Sequence, residues 1–186
     1  MHNFINIFNV NATLQPVQII RPMKYLFFAT LLLVSSVSLG QHYLRQNEEV
    51  VLFFQSHNGK QVYLVRDTVN NYLSYRFGTK NKIEFEYPKS VEDGRNKFTY
   101  SYYLRGGGAS NEGMDLNYVY FTNNGFRYVV YHTYYAVKNE EKIGVKVIDL
   151  KGGKTIDIKG DYKTKKGTLM DFRDNNLLEI GDELFD

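Results

Sequence analysis

The chain contains no cysteine and no tryptophan. Its longest apolar stretch, Tyr25 to about Val34, falls short of the roughly 20 residues that a membrane-spanning helix needs. Without cysteine there can be no disulfide, no thiolate zinc ligand and no thiol nucleophile, so packing alone must stabilise the fold. Without tryptophan, a sugar-stacking surface would have to be built from tyrosine, which weakens a carbohydrate reading but does not remove it. The sequence also lacks a G-x-S-x-G serine context, and no nucleophile–base–orienter set can be assembled from it. The expectation is a protein that is not an enzyme and that carries no cofactor.

What is present first is an export signal. Residues 23–40, MKYLFFATLLLVSSVSLG, run from a Met and a Lys through an apolar core to small residues, the order of a secretory signal peptide. Cleavage between Gly40 and Gln41 leaves Ser38 and Gly40 as the small residues that the peptidase requires. The absence of cysteine there excludes lipoprotein anchoring. Residues 1–22 fit no signal pattern and read as a mis-called upstream extension, with Met23 as the start. The expected product is therefore a single all-β domain over 41–186, periplasmic or secreted, with no transmembrane segment after processing.

Processing changes the charge. Removing Arg21 and Lys24 from the 23 basic residues leaves 21 against 20 acidic ones, a net +1 rather than +3. No basic stripe remains to hold phosphates by counterion release, which argues against nucleic acid as a partner.

Tyr, Phe, Val, Ile and Thr dominate the body of the chain, the composition of pleated, half-buried strands. Lys82-Ile83-Glu84-Phe85-Glu86-Tyr87 alternates apolar and charged residues before Pro88, predicting a strand with Ile83, Phe85 and Tyr87 inward and Glu84 and Glu86 in water. Phe98, Tyr100, Tyr102 and Leu104 form a second apolar row, and Leu116, Tyr118 and Tyr120 a third. Asn123-Asn124-Gly125 suits a tight hairpin turn leading into Phe126–Tyr135. Gly152-Gly153 joins Ile143–Leu150 to Lys154–Lys159. Earlier strands are expected at 49–55, 60–66 and 71–77, with a turn at Asn58-Gly59. Only 168–175 could form a short helix, and a final hairpin around Asp174-Asn175-Asn176 fits the residues equally. Strands at this spacing predict an antiparallel β-sandwich or small β-barrel built from hairpins.

Two stretches stand out as candidate binding elements. The loop Arg105-Gly106-Gly107-Gly108-Ala109-Ser110-Asn111-Glu112-Gly113-Met114-Asp115 precedes no helix and has no P-loop lysine, so it is not a phosphate cradle. Arg105, Gly106, Gly107, Gly108, Asn111, Glu112 and Asp115 are its candidate contact residues, with Glu112 and Asp115 conceivable as paired carboxylates. The strand Tyr128–Tyr135 (YVVYHTYY) has large groups on both faces. Either it is central and packed on both sides, or Tyr128, Tyr131, Tyr134 and Tyr135 form a tyrosine platform. His42, His57 and His132 share no metal-ligand spacing, and no metal site is expected. Arg76, between Tyr75 and Phe77, reads as a surface cation or as a cross-strand partner of Glu84 or Glu86.

The segments YLSYRFGTKNKIEFEYP (72–88), YSYYLRGGGASNEGMDLNYVYFTNNGFRYVVY (100–131) and IGVKVIDLKGGKTIDIKG (143–160) resemble a group of small exported bacterial proteins of unknown function. That resemblance implies no activity. Periplasmic lysozyme inhibitors are similar in size, export and β content, but they typically carry cysteines and a short inhibitory loop motif that are missing here. The functional expectation is an exported, non-enzymatic binding module, of the inhibitor or immunity type, that meets an envelope or extracellular protein through loop 105–115. The alternative is a binder of envelope glycan or another small ligand through the tyrosine-rich face. Oligomeric state is not legible.

Overall fold

The structure, a computed structural model, describes residues 43–90 and 97–185. The upstream extension, the signal peptide and His42 lie outside the described residues. Ten strands follow one another: β1 (Glu48–Ser56), β2 (Gln61–Asp67), β3 (Leu73–Thr79), β4 (Lys82–Tyr87), β5 (Thr99–Arg105), β6 (Met114–Asn123), β7 (Phe126–Tyr135), β8 (Glu140–Asp149), β9 (Thr155–Gly167) and β10 (Glu179–Gly181). They form one sheet in the order β10-β5-β6-β7-β8-β9-β1-β2-β3-β4, curled into a half-barrel. The all-β class read from the sequence is what the chain adopts.

Local chemistry explains the hairpins. Asn124 and Gly125 have φ of 50° and 81°, the positive values that a two-residue hairpin turn needs and that these residue types tolerate. They set β6 against β7 in an unbroken register from Asn123↔Phe126 to Met114↔Tyr135. The curl comes from β9. Its first part pairs with β8 as far as Gly144↔Lys159, and its second part pairs with β1 from Ser56↔Gly160. A side chain at Gly160 would run into Phe54 and Ile143, so the absence of a Cβ lets the strand bend over the core.

Because side chains alternate, each strand contributes one row to the concave face. Leu52, Leu64, Tyr75 and Tyr87 lie opposite one another across β1–β4, and Tyr100, Val119, Val130, Val145 and Ile158 do so across β5–β9. Curling brings the two sets together as one core, closed by stacked rings: Tyr87 on Phe121 at 4.3 Å and Phe85 on Tyr128 at 4.9 Å. Phe85 and Tyr87 thus face inward as the alternation predicts.

Three features depart from the sequence expectations. After β9 the short helix that 168–175 allowed forms as a 3-10 helix, Met170–Arg173, that buries Phe172, and in place of a final hairpin β10 joins β5 in parallel, so the sheet is mixed. Glu86 is turned away from open water onto Arg76, at 2.8 Å, while Glu84 binds Lys60. Arg76 is the cross-strand partner of Glu86, one of the two readings its place in the sequence allowed, and not a surface cation. It is fully buried, held by Glu48 and Glu86 and donating to the Tyr43 carbonyl. Tyr43, stacked on Tyr63 and hydrogen-bonded to the Thr79 carbonyl, covers that side of the sheet.

Candidate functional site

The convex face of β6–β9 carries a second apolar cluster of Leu116, Tyr118, Val129 and Tyr131. Register places Tyr118, Tyr131, Gly144 and Lys159 in one row, and Tyr120, Val129, Lys146 and Asp157 in the next. Gly144 matters for the space it leaves. A Cβ there would lie 2.6 Å from Cζ of Tyr131, so its absence lets the tyrosine ring lie across β8. The Tyr131 hydroxyl reaches β9 and donates to Oδ1 of Asp157 at 2.9 Å. Burial, together with the adjacent Asp157 carboxylate, pushes that hydroxyl well above the usual tyrosine range. The Lys146 ammonium sits 5.8 Å from the Tyr131 ring centre, and the Lys142 ammonium 5.2 Å from that of Tyr135. Lys142 also pairs with Glu140 at 3.2 Å.

These side chains line a groove of about 510 Å³. Where β9 leaves β8 beyond Lys159, the sheet splits, and Glu141, Tyr162 and His57 complete the wall on that side. Phe185 closes part of the opposite side, edge-on to Tyr118. The result is a concave surface of rings with cations and carboxylates at its margin, the usual composition of a small-ligand site.

The glycine-rich loop stands at one end of the same surface. Ala109–Asn111 form a 3-10 turn, entered through Gly107 and Gly108 at φ of 93° and 63°, values that favour glycine. The loop satisfies its own backbone. The Gly113 amide donates to the Gly108 carbonyl at 2.8 Å, the Asn111 amide group to the Gly106 carbonyl at 2.9 Å, and Arg105 Nε to the Glu112 carbonyl at 3.0 Å. A second hollow, of about 440 Å³, lies between Arg105, Glu112, Met114 and Tyr135, and shares Tyr135, Glu140 and Lys142 with the groove. The two stretches singled out from sequence are therefore one continuous surface, joined at Tyr135.

Not every candidate residue belongs to it. Asp115 is on β6 and points to the concave side, where Arg173 and Asn117 hold it, so it is not paired with Glu112. The four tyrosines are not one platform, because alternation along β7 divides them. Tyr131 and Tyr135 face the groove, whereas Tyr128 stacks in the core on Phe121 and Tyr134 faces the concave side. Tyr118, Lys146, Asp157 and Phe185 were missed. Tyr118 could have been found, since the Asn124-Gly125 turn fixes it opposite Tyr131. Nothing local marks the other three.

A separate polar cluster occupies the concave side near the same end. Tyr100 donates to Asn117 Oδ1 at 2.5 Å, and Arg173 binds Asp115 and Asn117 and lies over the Tyr102 ring. Burial pushes the Tyr100 hydroxyl up to about 12, against the pull of Arg173. His132, opposite Asn117 in the β6–β7 register, is only 3% exposed, and neither ring nitrogen has a hydrogen-bond partner among the described residues. Glu141 lies 3.9 Å from its Nε2, with the Tyr162 ring stacked alongside. Burial, then the nearby Lys165, hold the imidazole below its usual range, against Glu141 and Asp115. Among the described residues no three His, Asp or Glu side chains are gathered in metal-binding geometry.

Comparison with protein-family models, with curated proteins and with solved structures finds no match for this chain.

Proposed function

We propose that the protein is an exported, non-enzymatic binding module whose convex groove takes a small ring-bearing ligand, an envelope glycan being the chemical class that suits it best. The observation that carries this reading is the groove itself, with Tyr131, Tyr135, Tyr162 and Phe185 beside Lys142, Lys146, Asp157 and Glu140. Aromatic rings offer flat apolar faces to the C–H face of a sugar, and carboxylates and ammonium groups at the margin exchange hydrogen bonds with its hydroxyls. The groove carboxylates are already engaged, Asp157 by Tyr131, Glu140 by Lys142 and Glu141 by Tyr162, which suits holding a ligand better than moving protons. Soluble peptidoglycan fragments titrated into the processed protein, followed by calorimetry, test this. Saturable binding that Tyr135→Ala and Asp157→Asn each weaken supports it. Absence of binding to the folded protein rejects it.

A second reading has its own support. Every residue from Gly106 to Glu112 is exposed, and exposed loops on rigid sheets commonly make protein contacts. On this reading Arg105, Gly106, Gly107, Gly108, Asn111 and Glu112 meet an envelope or extracellular protein. A pull-down from envelope extract that is lost on substituting the loop, but not on substituting Tyr135, favours it over the groove.

A further inference from the structure

The apolar cluster of the convex face is covered, at its β5–β7 end, by a later part of the same chain. After β10 the segment Asp182–Phe185 leaves the sheet ladder and crosses the face. Ser101 Oγ donates to the Glu183 carbonyl at 2.6 Å, Arg127 pairs with the Glu183 carboxylate, and Lys146 donates to the Phe185 carbonyl. The Phe185 ring stands edge-on to Tyr118 at 5.5 Å and to Tyr120 at 5.0 Å. The Arg127 guanidinium lies 6.0 Å from the centre of the same ring. Leu184, between them, is 47% exposed. Glu183 reaches the face through a carboxylate that is itself 46% exposed, and Phe185 through its ring, as alternate side chains of a bound peptide reach a receptor.

The attachment is small compared with what it covers. Among the described residues it consists of one ring with the Arg127 cation beside it, one ion pair that is itself partly exposed and two hydrogen bonds to carbonyls, anchored by a three-residue strand. Segments with so few buried contacts open at low cost relative to the core. Beneath them lie Leu116, Tyr118 and Val129, each at most 1% exposed. Phe185, Tyr118 and Lys146 also line the groove.

We infer that Glu183–Phe185 is a displaceable strap, and that the face beneath it reads an extended peptide with a carboxylate two residues ahead of a phenylalanine. Arg127 reads the carboxylate, Lys146 the main-chain carbonyl, and Tyr118 and Tyr120 the ring. The strap's control over the groove rests on the groove being the ligand site. Its peptide-reading capacity does not.

The test uses a labelled peptide spanning Gly181–Asp186 and two proteins, the full chain and the same chain ended at Gly181. The shortened chain should bind the peptide saturably, and the full chain about tenfold more weakly or worse, because the tethered segment competes at high effective concentration. Glu183→Lys or Phe185→Ala in the peptide should each remove most of the binding. A shortened chain that keeps the full chain's circular dichroism and melting temperature but ignores the peptide, or takes a scrambled one equally, overturns the proposal. If shortening prevents folding, the full chain carrying Phe185→Ala takes its place under the same criteria. In the unmodified chain, excess peptide should also raise hydrogen exchange at Glu183–Phe185, and unchanged exchange at saturating peptide counts against the strap. Peptide capture without peptidoglycan binding keeps the strap and removes the glycan reading. Peptidoglycan binding that is equal in both chains, with no peptide capture, does the reverse.

Discussion

The Arg76 guanidinium and the Glu48 carboxylate meet at 2.5 and 2.7 Å with both side chains fully excluded from solvent. Glu86 and the Tyr43 carbonyl complete the shell around Arg76. Burial alone would favour a neutral Glu48, but the Arg76 hydrogen bonds and charge outweigh it and hold the carboxyl below its usual value. Glu48 therefore contributes stability above its ordinary value of 4.5, and that contribution is lost as pH falls through the lowered folded-state value. Removing Glu48 leaves the buried Arg76 with Glu86 alone against its charge, so Glu48→Ala should cost about 3 kcal/mol, the lower end for breaking a buried pair. Replacing Arg76 by Met and Glu48 by Leu together should cost less than that single change. Urea unfolding of the two variants checks this, and a double variant less stable than Glu48→Ala would contradict it.

His132 predicts a second pH effect with its own window. The imidazole sits among Lys165, Glu141, Asp115 and Tyr162, and is held below its ordinary value of 6.5. The unfolded chain therefore binds a proton at His132 at a higher pH than the folded one, and stability falls as pH drops from about 6.5 toward the folded-state value. Melting temperature should fall between pH 7.5 and about 5.5, and His132→Gln should reduce that slope. Identical slopes in the two proteins would remove His132 as its origin.

Much of the fold was legible because alternation and turn chemistry act over a few residues. β7 was read with its observed ends, Phe126 and Tyr135, since Asn124-Gly125 marks the hairpin and the strand pattern is unbroken. Partner exchange along β9 was not legible. The neighbour changes from β8 to β1 at Gly160, and a glycine within a strand marks a bend without saying which strand comes to lie beside it. Arg76 shows the same limit. A charge alternating with rings points away from the core, and whether that side is water depends on Tyr43 and Glu48, about 30 residues earlier. The groove was half visible. Tyr131, Tyr135 and the glycine loop were found because residue type marks them, but Asp157, Lys146 and Phe185 arrive by long-range pairing.

Phe85 tests the closure of the half-barrel. It is only half-buried, yet its ring stacks on Tyr128 at 4.9 Å and lies 5.9 Å from Tyr75, joining β4 to β7 and β3. Phe85→Ala should cost about 3 kcal/mol, the lower end for losing a phenylalanine from a core. No disulfide cushions the loss. Phe85→Leu keeps most of the volume and should recover over half of the stability measured by urea unfolding.

Gly144 couples to Tyr131 through the space it leaves. Gly144→Ala would drive the ring out of its place over β8 and break its hydrogen bond to Asp157, since the added carbon also meets the Ile158 carbonyl at 2.7 Å. The expected loss is about 1–3 kcal/mol, the range for overpacking. Tyr131→Phe removes the hydrogen bond without crowding and should cost about 1 kcal/mol. If Gly144→Ala is silent in thermal unfolding, the close approach of ring and strand is wrong.

The loop distinguishes structure from recognition in one double variant. Arg105 reaches the Glu112 carbonyl and carboxylate, but Glu112 is 75% exposed and Arg105 is 34% exposed. An exposed pair of this kind contributes little, and the 3-10 turn keeps its bonds from Gly113 to Gly108 and from Asn111 to Gly106 without it. Arg105→Ala with Glu112→Ala should therefore change stability by only about 0.5 kcal/mol. If the loop contacts a protein, the same variant should lose partner capture from envelope extract while keeping its melting temperature and its affinity for peptidoglycan fragments. A drop in melting temperature of many degrees would make the pair structural, and intact capture alongside such a drop would end the loop's candidacy as a binding element.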